Sequence, residues 1–309
     1  RKLPRQVGTA TDWSRVSSGD SHTCGLRAGG QLWCWGASES GQVGNGGSAG
    51  QLNPTRVGAA SDWAFISAGG SHTCGIRAGG ELWCWGNNMN GQLGDGAGAN
   101  QLAPVKIGSG SDWTAIAAGY ANTCGIRAGG QLWCWGSNWE GQVGDGTKIS
   151  RTVPTRIGAA ADWSSVTTGS LAHTCGVRAG GQLWCWGYNY YGQLGDGTQI
   201  GRVSPTRIGS AVDWISVSSG SYHSCGSRTD GSLWCWGDND NGQLGDGTTS
   251  SKQSPTRVGT DTDWAGVSVG VSHSCGIRAE GQVWCWGYNQ DGQLGDNSNN
   301  SHSAPTQVG

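Results

Sequence analysis

The sequence predicts an all-β propeller of six four-stranded blades, and three observations carry that reading. The block Cys-Gly-x-Arg-x-x-Gly-x-x-Trp-Cys-Trp-Gly recurs six times at a spacing of 50 or 51 residues, a period that marks a repeat architecture. Within each repeat, short runs rich in Trp, Ile, Val and Thr alternate with Gly-rich turns, the pattern of brief strands. A unit of this size cannot bury enough apolar surface alone, so the units pack on one another. The 309-residue chain has 19 Trp but one Phe and one Met, so indole rings carry most of the burial.

The second repeat shows how each element arises. Residues 63–69, Trp-Ala-Phe-Ile-Ser-Ala-Gly, are mostly apolar and end at Gly, as a buried strand A does. Residues 73–77 read as strand B, the turn Ala78-Gly79-Gly80 follows, and residues 81–86 read as strand C. That turn sets the register: Arg77 opposite Glu81, Ile76 opposite Leu82, Gly75 opposite Trp83 and Cys74 opposite Cys84. Side chains alternate, so Cys, Ile and Leu share one face of the hairpin while Trp83, Trp85 and Arg77 share the other. Gly75 is expected to let the Trp83 indole cross the neighbouring strand, with Arg77 flanking the ring as a cation. A polar loop containing Gly-Gln-Leu-Gly-Asp-Gly leads to a short outer strand D, residues 104–108, begun by Pro as an edge strand tolerates. Four short strands repeated radially describe a propeller blade.

Facing cysteines lie roughly 4.5–5.5 Å apart at Cβ, within reach of a disulfide. Cys24 pairs with Cys34, Cys74 with Cys84, Cys124 with Cys134, Cys175 with Cys185, Cys225 with Cys235 and Cys275 with Cys285. Zinc sites use closely spaced cysteines that converge as four ligands, whereas these are ten apart and matched within each hairpin. Disulfides, and with them an oxidising, secreted or extracellular address, are therefore expected. A formal charge of −2 with no basic run argues against nucleic acid as a partner. No run approaches the roughly 18 apolar residues of a membrane span.

Residues His72-Thr73-Cys74-Gly75-Ile76-Arg77, then Leu82-Trp83-Cys84-Trp85-Gly86-Asn87-Asn88 and Gly91-Gln92-Leu93-Gly94-Asp95-Gly96, resemble the regulator of chromosome condensation repeat family along essentially the whole chain. The resemblance implies a β-propeller, most often seven-bladed, whose members include nucleotide exchange factors, ubiquitin-ligase modules, β-lactamase-inhibiting binders and secreted bacterial proteins. The cysteine pairs and the Trp-Cys-Trp triplet are similar to the secreted bacterial branch. Six cores stand here where the family usually has seven. Seven D-type segments, beginning at Pro4, Pro54, Pro104, Pro154, Pro205, Pro255 and Pro305, serve those six cores, so residues 1–309 are read as one propeller domain with a surplus outer segment at 3–8 or 304–309.

Recurrence also weighs on chemistry. His22, His72, His173, His223 and His273 precede strand B, with Asn122 in the third repeat; a catalytic group is needed once, so five copies point to a structural hydrogen-bonding role. The Asp of each Asp-Trp pair is expected to cap the turn into strand A, and the Asp of each Gly-Asp-Gly/Asn turn to bond its own backbone. Asp238-Asn239-Asp240-Asn241 offers oxygen ligands without the spacing of a calcium loop and reads as a solvated loop. No nucleophile elbow, Walker loop or zinc-protease motif is present. The expectation is a non-enzyme without cofactor or metal.

The columns where the repeats differ are free of shared packing constraints. The loops after strand C and before strand B place Met89, Tyr120, Trp139, Tyr188, Tyr190, Tyr191, Tyr222 and Tyr288 there, and loop aromatics anchor protein or sugar recognition. The chain is thus read as a secreted recognition propeller that engages a protein or glycan through one loop face. A structural subunit self-assembling through its surplus edge strand is the second reading, and a guanine-nucleotide exchange factor the third.

Overall fold

The computed structural model describes residues 2–308 as six four-stranded antiparallel sheets. Blade 1 holds β1 (Trp13–Ser18), β2 (His22–Arg27), β3 (Gln31–Gly36) and β4 (Gln51–Arg56). Blade 2 holds β5 (Trp63–Ala68), β6 (His72–Arg77), β7 (Leu82–Gly86) and β8 (Gln101–Lys106). Blade 3 holds β9 (Trp113–Ala118), β10 (Asn122–Arg127), β11 (Gln131–Gly136) and β12 (Arg151–Arg156). Blade 4 holds β13 (Trp163–Thr168), β14 (His173–Arg178), β15 (Gln182–Gly187) and β16 (Arg202–Arg207). Blade 5 holds β17 (Trp214–Ser219), β18 (His223–Arg228), β19 (Leu233–Gly237) and β20 (Lys252–Arg257). Blade 6 holds β21 (Trp264–Val269), β22 (His273–Arg278), β23 (Val283–Gly287) and β24 (His302–Gln307).

The hairpin register is the one the turn dictates: Cys74 opposes Cys84, Gly75 opposes Trp83 and Ile76 opposes Leu82. In blades 4 and 5, Cys175 opposes Cys185 and Cys225 opposes Cys235 in the same way, although the fourth repeat is one residue longer ahead of strand B. All six disulfides form within blades, with Cα atoms 4.1 Å apart in each. Strand D departs from expectation by starting three residues before its Pro. Its pairing with strand C breaks between Cys84 and Gly86, and Pro104 falls in that irregular stretch on the outer edge, where a missing N–H leaves no ladder bond unmade.

Blades pack Cys face against Trp face. Cys24, Leu26, Leu32 and Cys34 of blade 1 bury against Trp63, Ile66 and Trp85 of blade 2, and four further clusters repeat the arrangement through blade 6. Cys185 and Cys235 are wholly buried in the fourth and fifth of these, against Trp236 and Trp286. The Gly opposite strand C serves a different ring from the one expected. A Cβ on Gly75 would sit 2.8 Å from Cζ3 of Trp63, so the strand A indole lies there and stands edge-on to Trp85 at 5.7 Å. Arg77 does flank Trp83, at 5.5 Å from the ring centre.

Polar bonds tie the same seams. Trp85 Nε1 and Thr73 Oγ1 both donate to the Gln42 carbonyl of the preceding blade, at 3.0 and 2.9 Å. Because the Thr73 proton is committed there, His22 Nε2–H donates to Thr73 Oγ1, 2.8 Å away. His22, His72, His173 and His223 are thus inter-blade donors, and burial pushes His22 and His173 down to about 4 and His72 and His223 to about 3, which keeps them neutral.

The Asp of five of the six Asp-Trp pairs does more than cap a turn: Asp62 Oδ1, for one, accepts from Arg77 Nε at 2.7 Å, tying the entry of strand A to the end of strand B, while Asp213 and Arg228 of blade 5 are 3.6 Å apart. In the Gly-Asp-Gly turns, Asp95, Asp145, Asp196 and Asp246 accept from backbone N–H two residues on, as expected. The C-terminal D segment is β24, paired with β23, while residues 3–8 form no strand. Gly309 lies outside the described residues.

Candidate binding rim

In an antiparallel blade the A–B and C–D loops emerge on the same rim, so the variable residues of both columns meet there. Four of them form a cluster across blades 4 and 5. Tyr188 and Tyr190 stack at 6.5 Å, Tyr190 meets Tyr191 edge-on at 5.1 Å, and Tyr191 lies 4.7 Å from Tyr222. Tyr190 is the outermost, with 64% of its surface exposed. Partial burial, then the neighbouring tyrosines with Asp238 and Asp240, pushes the Tyr191 phenol up; burial with Tyr191, Tyr222 and Glu140 does the same for Tyr188. Four phenol rings thus crowd one spot.

Met89, Tyr120 and Trp139 border two adjoining clefts over blades 2 to 4, together with Asn90, Glu140 and Leu171. Trp139 is 69% exposed and Met89 78% exposed. Glu140 lines the first of these clefts, and its charge is among those that push the Tyr188 phenol up. Tyr288 stands apart on blade 6, where it lines a separate cleft with Val271, Asn241 and Asp291. Seven of the eight expected residues thus fall along one arc of the rim.

The loop base is rigid for a reason that residue type alone conceals. Asn88 is fully buried; its Oδ1 accepts from Leu93 N at 3.1 Å and its Nδ2 donates to Asp95 Oδ1 at 2.8 Å. Asn138, Asn189, Asn239 and Asn289 repeat this brace. Hence Asp238-Asn239 is not the solvated loop expected: both side chains are buried, and Asp238, its carboxyl pushed up by burial, accepts from Gln243 Nε2 at 2.7 Å. Leu171 and Glu140, absent from the expected set, sit in the same variable columns and were open to the same reasoning. Among the described residues, no group of three or more His, Cys, Asp or Glu is placed to hold a metal ion.

A family model described as an RCC1-like domain matches residues 1–309. No curated protein sequence matches the chain. Among solved structures, human WBSCR16 superposes with a TM-score of 0.90 at 20% identity, covering 100% of this chain and 84% of that one. Yeast RCC1 (Prp20) bound to Kap60 superposes with a TM-score of 0.85 at 20% identity, covering 96% and 75%. Prp20p of Saccharomyces cerevisiae, in a structure reported with its binding properties to Gsp1p and histones, gives 0.85 at 20% identity over 96% and 77%. At that identity the likeness is one of fold. No helix among the described residues is long and apolar enough to cross a membrane, and six disulfides are consistent with an extracellular fold.

Proposed function

The chain belongs to the RCC1-like domain family, and from that premise we propose that it is a secreted, non-enzymatic recognition propeller whose aromatic arc receives a protein partner. The single observation that carries this reading is the tyrosine cluster of Tyr188, Tyr190, Tyr191 and Tyr222, on whose phenols the carboxylates of Glu140, Asp238 and Asp240 act electrostatically. Aromatic faces beside carboxylates suit a Lys or Arg side chain, which gains both cation–π and ionic attraction. Tyr and Trp add contact area at low entropic cost, so the cluster and Trp139 serve as paired anchors along the arc. The yeast relative's reported binding properties to histones accord with recognition of a basic polypeptide.

The test is binding of the purified chain to an array of Lys- and Arg-containing peptides beside a glycan array. Retention on cationic peptides that drops at least tenfold in Tyr190→Ala and in Trp139→Ala supports the reading. Retention on glycans alone moves the site to sugar recognition. Binding to peptides that both variants leave unchanged removes the arc from the interface.

A further inference from the structure

Three departures from the shared repeat meet at one cleft. Asn122 stands in blade 3 where the other five blades carry His. The segment between strands A and B of blade 4 is one residue longer than its counterparts, and it holds Ala172 at φ 62°, in the left-handed region that a residue with a Cβ rarely enters. Among the described residues, no other A–B loop puts a non-glycine residue there. Trp139 is the nineteenth tryptophan, outside the three that each repeat shares. All three line the first of the two clefts over blades 2 to 4, with Tyr120, Glu140 and Leu171.

The seam beneath that cleft is incompletely bonded. In the flanking seams the His ring of one blade meets the strand B hydroxyl of the next at 2.9 Å. Asn122 is 2% exposed, yet its Nδ2 has no partner, and Thr168 Oγ1 of blade 4 is likewise buried without one. Both side chains border Gly119: a Cβ there would lie 2.6 Å from Asn122 Oδ1 and 3.0 Å from the Cβ of Thr168. An unmade buried hydrogen bond and a left-handed alanine each cost stability, and costs of that kind gather where a surface must yield to a ligand.

Size and chemistry narrow the occupant. The cleft holds about 200 Å³, below the roughly 300–1,000 Å³ of cofactor-sized pockets, and so suits one side chain. Trp139, Tyr120 and Leu171 offer apolar contact to a stem. Glu140 lines the cleft and no Lys or Arg does, while Lys148 stands 3.7 Å from Glu140 outside the lining, so a carboxylate is disfavoured. An ammonium or guanidinium has no acceptor for Asn122 Nδ2. A side-chain amide has both an oxygen for that donor and an NH2 group for the Glu140 carboxylate. A pyranose would turn hydroxyls toward Leu171 and Ala172, whose side chains cannot pair them.

We propose that this cleft is a subsite for one glutamine or asparagine side chain of the protein partner, admitted when the Leu171-Ala172 turn gives way. Asn122 Nδ2, covered in the free chain, then donates to the amide oxygen, the amide NH2 donates to Glu140, and the stem lies against Trp139. Release of the left-handed alanine offsets part of the cost of moving the turn. The subsite rests on the reading of the rim as a protein-binding surface, and it adds a selectivity that the tyrosine cluster does not supply.

The test titrates the full chain with propionamide, propionate, n-propylammonium and N-acetylglucosamine, following the Asn122 side-chain amide and the Trp139 indole by NMR. Propionamide is expected to shift both signals saturably and to bind at least tenfold more tightly than propionate or propylammonium. Asn122→His, which fills the seam, should abolish the Trp139 response, whereas Tyr190→Ala should preserve it. Absence of a saturable response, equal binding of the three-carbon compounds, or a Trp139 response that survives Asn122→His overturns the proposal. Tighter binding of N-acetylglucosamine overturns it too, since the occupant is then a sugar. Loss of cationic-peptide retention with the propionamide response intact strikes the rim reading and leaves the amide selectivity of the cleft standing; the reverse result strikes the cleft alone.

Discussion

The seam between blades 1 and 2 and the open side between blades 6 and 1 are built from nearly the same residues, yet only one of them is a core. At the seam, the disulfide and leucines of one sheet meet the indoles of the next, and a carbonyl, a hydroxyl and an imidazole lock the contact. At the open side, the same types face away from any partner. A blade's sequence therefore specifies two half-interfaces, and burial comes only from a neighbour, as in other repeat folds. Four measurements separate the two environments.

Acid should act first and most broadly, because it attacks every histidine-bearing seam together. His22, His72, His173 and His223 are held neutral in the fold, down to about 4 or 3. The unfolded chain takes up protons as pH falls through about 6.5, while the folded chain does not, so stability present above that pH is lost on the way down to about 3–4. At pH 5 each seam histidine costs about 2 kcal/mol in this way. The paired carboxylates add their loss only at lower pH, as Asp145, Asp196 and Asp246 protonate. Urea midpoints at pH 7 and pH 5 measure the difference; a midpoint unchanged over that interval contradicts the buried neutral imidazoles.

The tryptophans of strand C give the sharpest paired comparison. Trp135 is wholly buried and bonded to the Gln92 carbonyl at 2.9 Å, so Trp135→Ala should cost about 3–5 kcal/mol. Trp35→Ala removes the same side chain from the open face, where its contact is the edge of Trp13 at 5.8 Å, and should cost under about 1.5 kcal/mol. Equal losses in the two variants would mean that the open face is covered in solution.

The blade was legible because its constraints are local. Strand period, a three-residue turn and ten-residue cysteine spacing set the hairpin register, and with it the disulfides and the two faces. What escaped were relations between blades. Nothing in Gly75 says which of three indoles will lie on it, and in the folded chain it is the strand A ring that does. The histidine's acceptor is a hydroxyl 51 residues away, visible only once the blades are stacked. The rim was half legible: variable columns named the aromatics, but only the curvature of the wheel draws Tyr188, Tyr191 and Tyr222 together and leaves Tyr288 aside.

Disulfides should sort by the same geometry. Cys124–Cys134, Cys175–Cys185 and Cys225–Cys235 are wholly buried in seams, whereas Cys275 lines the cleft at the open side of the wheel. Mild reductant is expected to open Cys275–Cys285 before any seam disulfide, read by alkylation and mass mapping. Each loop is short, so loss of one disulfide costs about 2–3 kcal/mol by the chain-entropy argument.

The smallest effect comes from the one seam whose lock is incomplete. Blade 3 carries Asn122 where its neighbours carry His, and Asn122 Nδ2 is buried without a partner. Asparagine is too short to reach the next blade's hydroxyl, which in the other seams lies 2.8–2.9 Å from the imidazole Nε2. Thr174 still donates to the Gln142 carbonyl at 2.9 Å, so its oxygen is oriented to accept. Asn122→His should therefore complete the bond and stabilise the chain by about 1 kcal/mol at pH 7. At pH 5 the added imidazole meets the same protonation penalty as its neighbours, and the gain should vanish or reverse. A variant that is stabilised equally at both pH values would show that the new ring stays exposed instead of entering the seam.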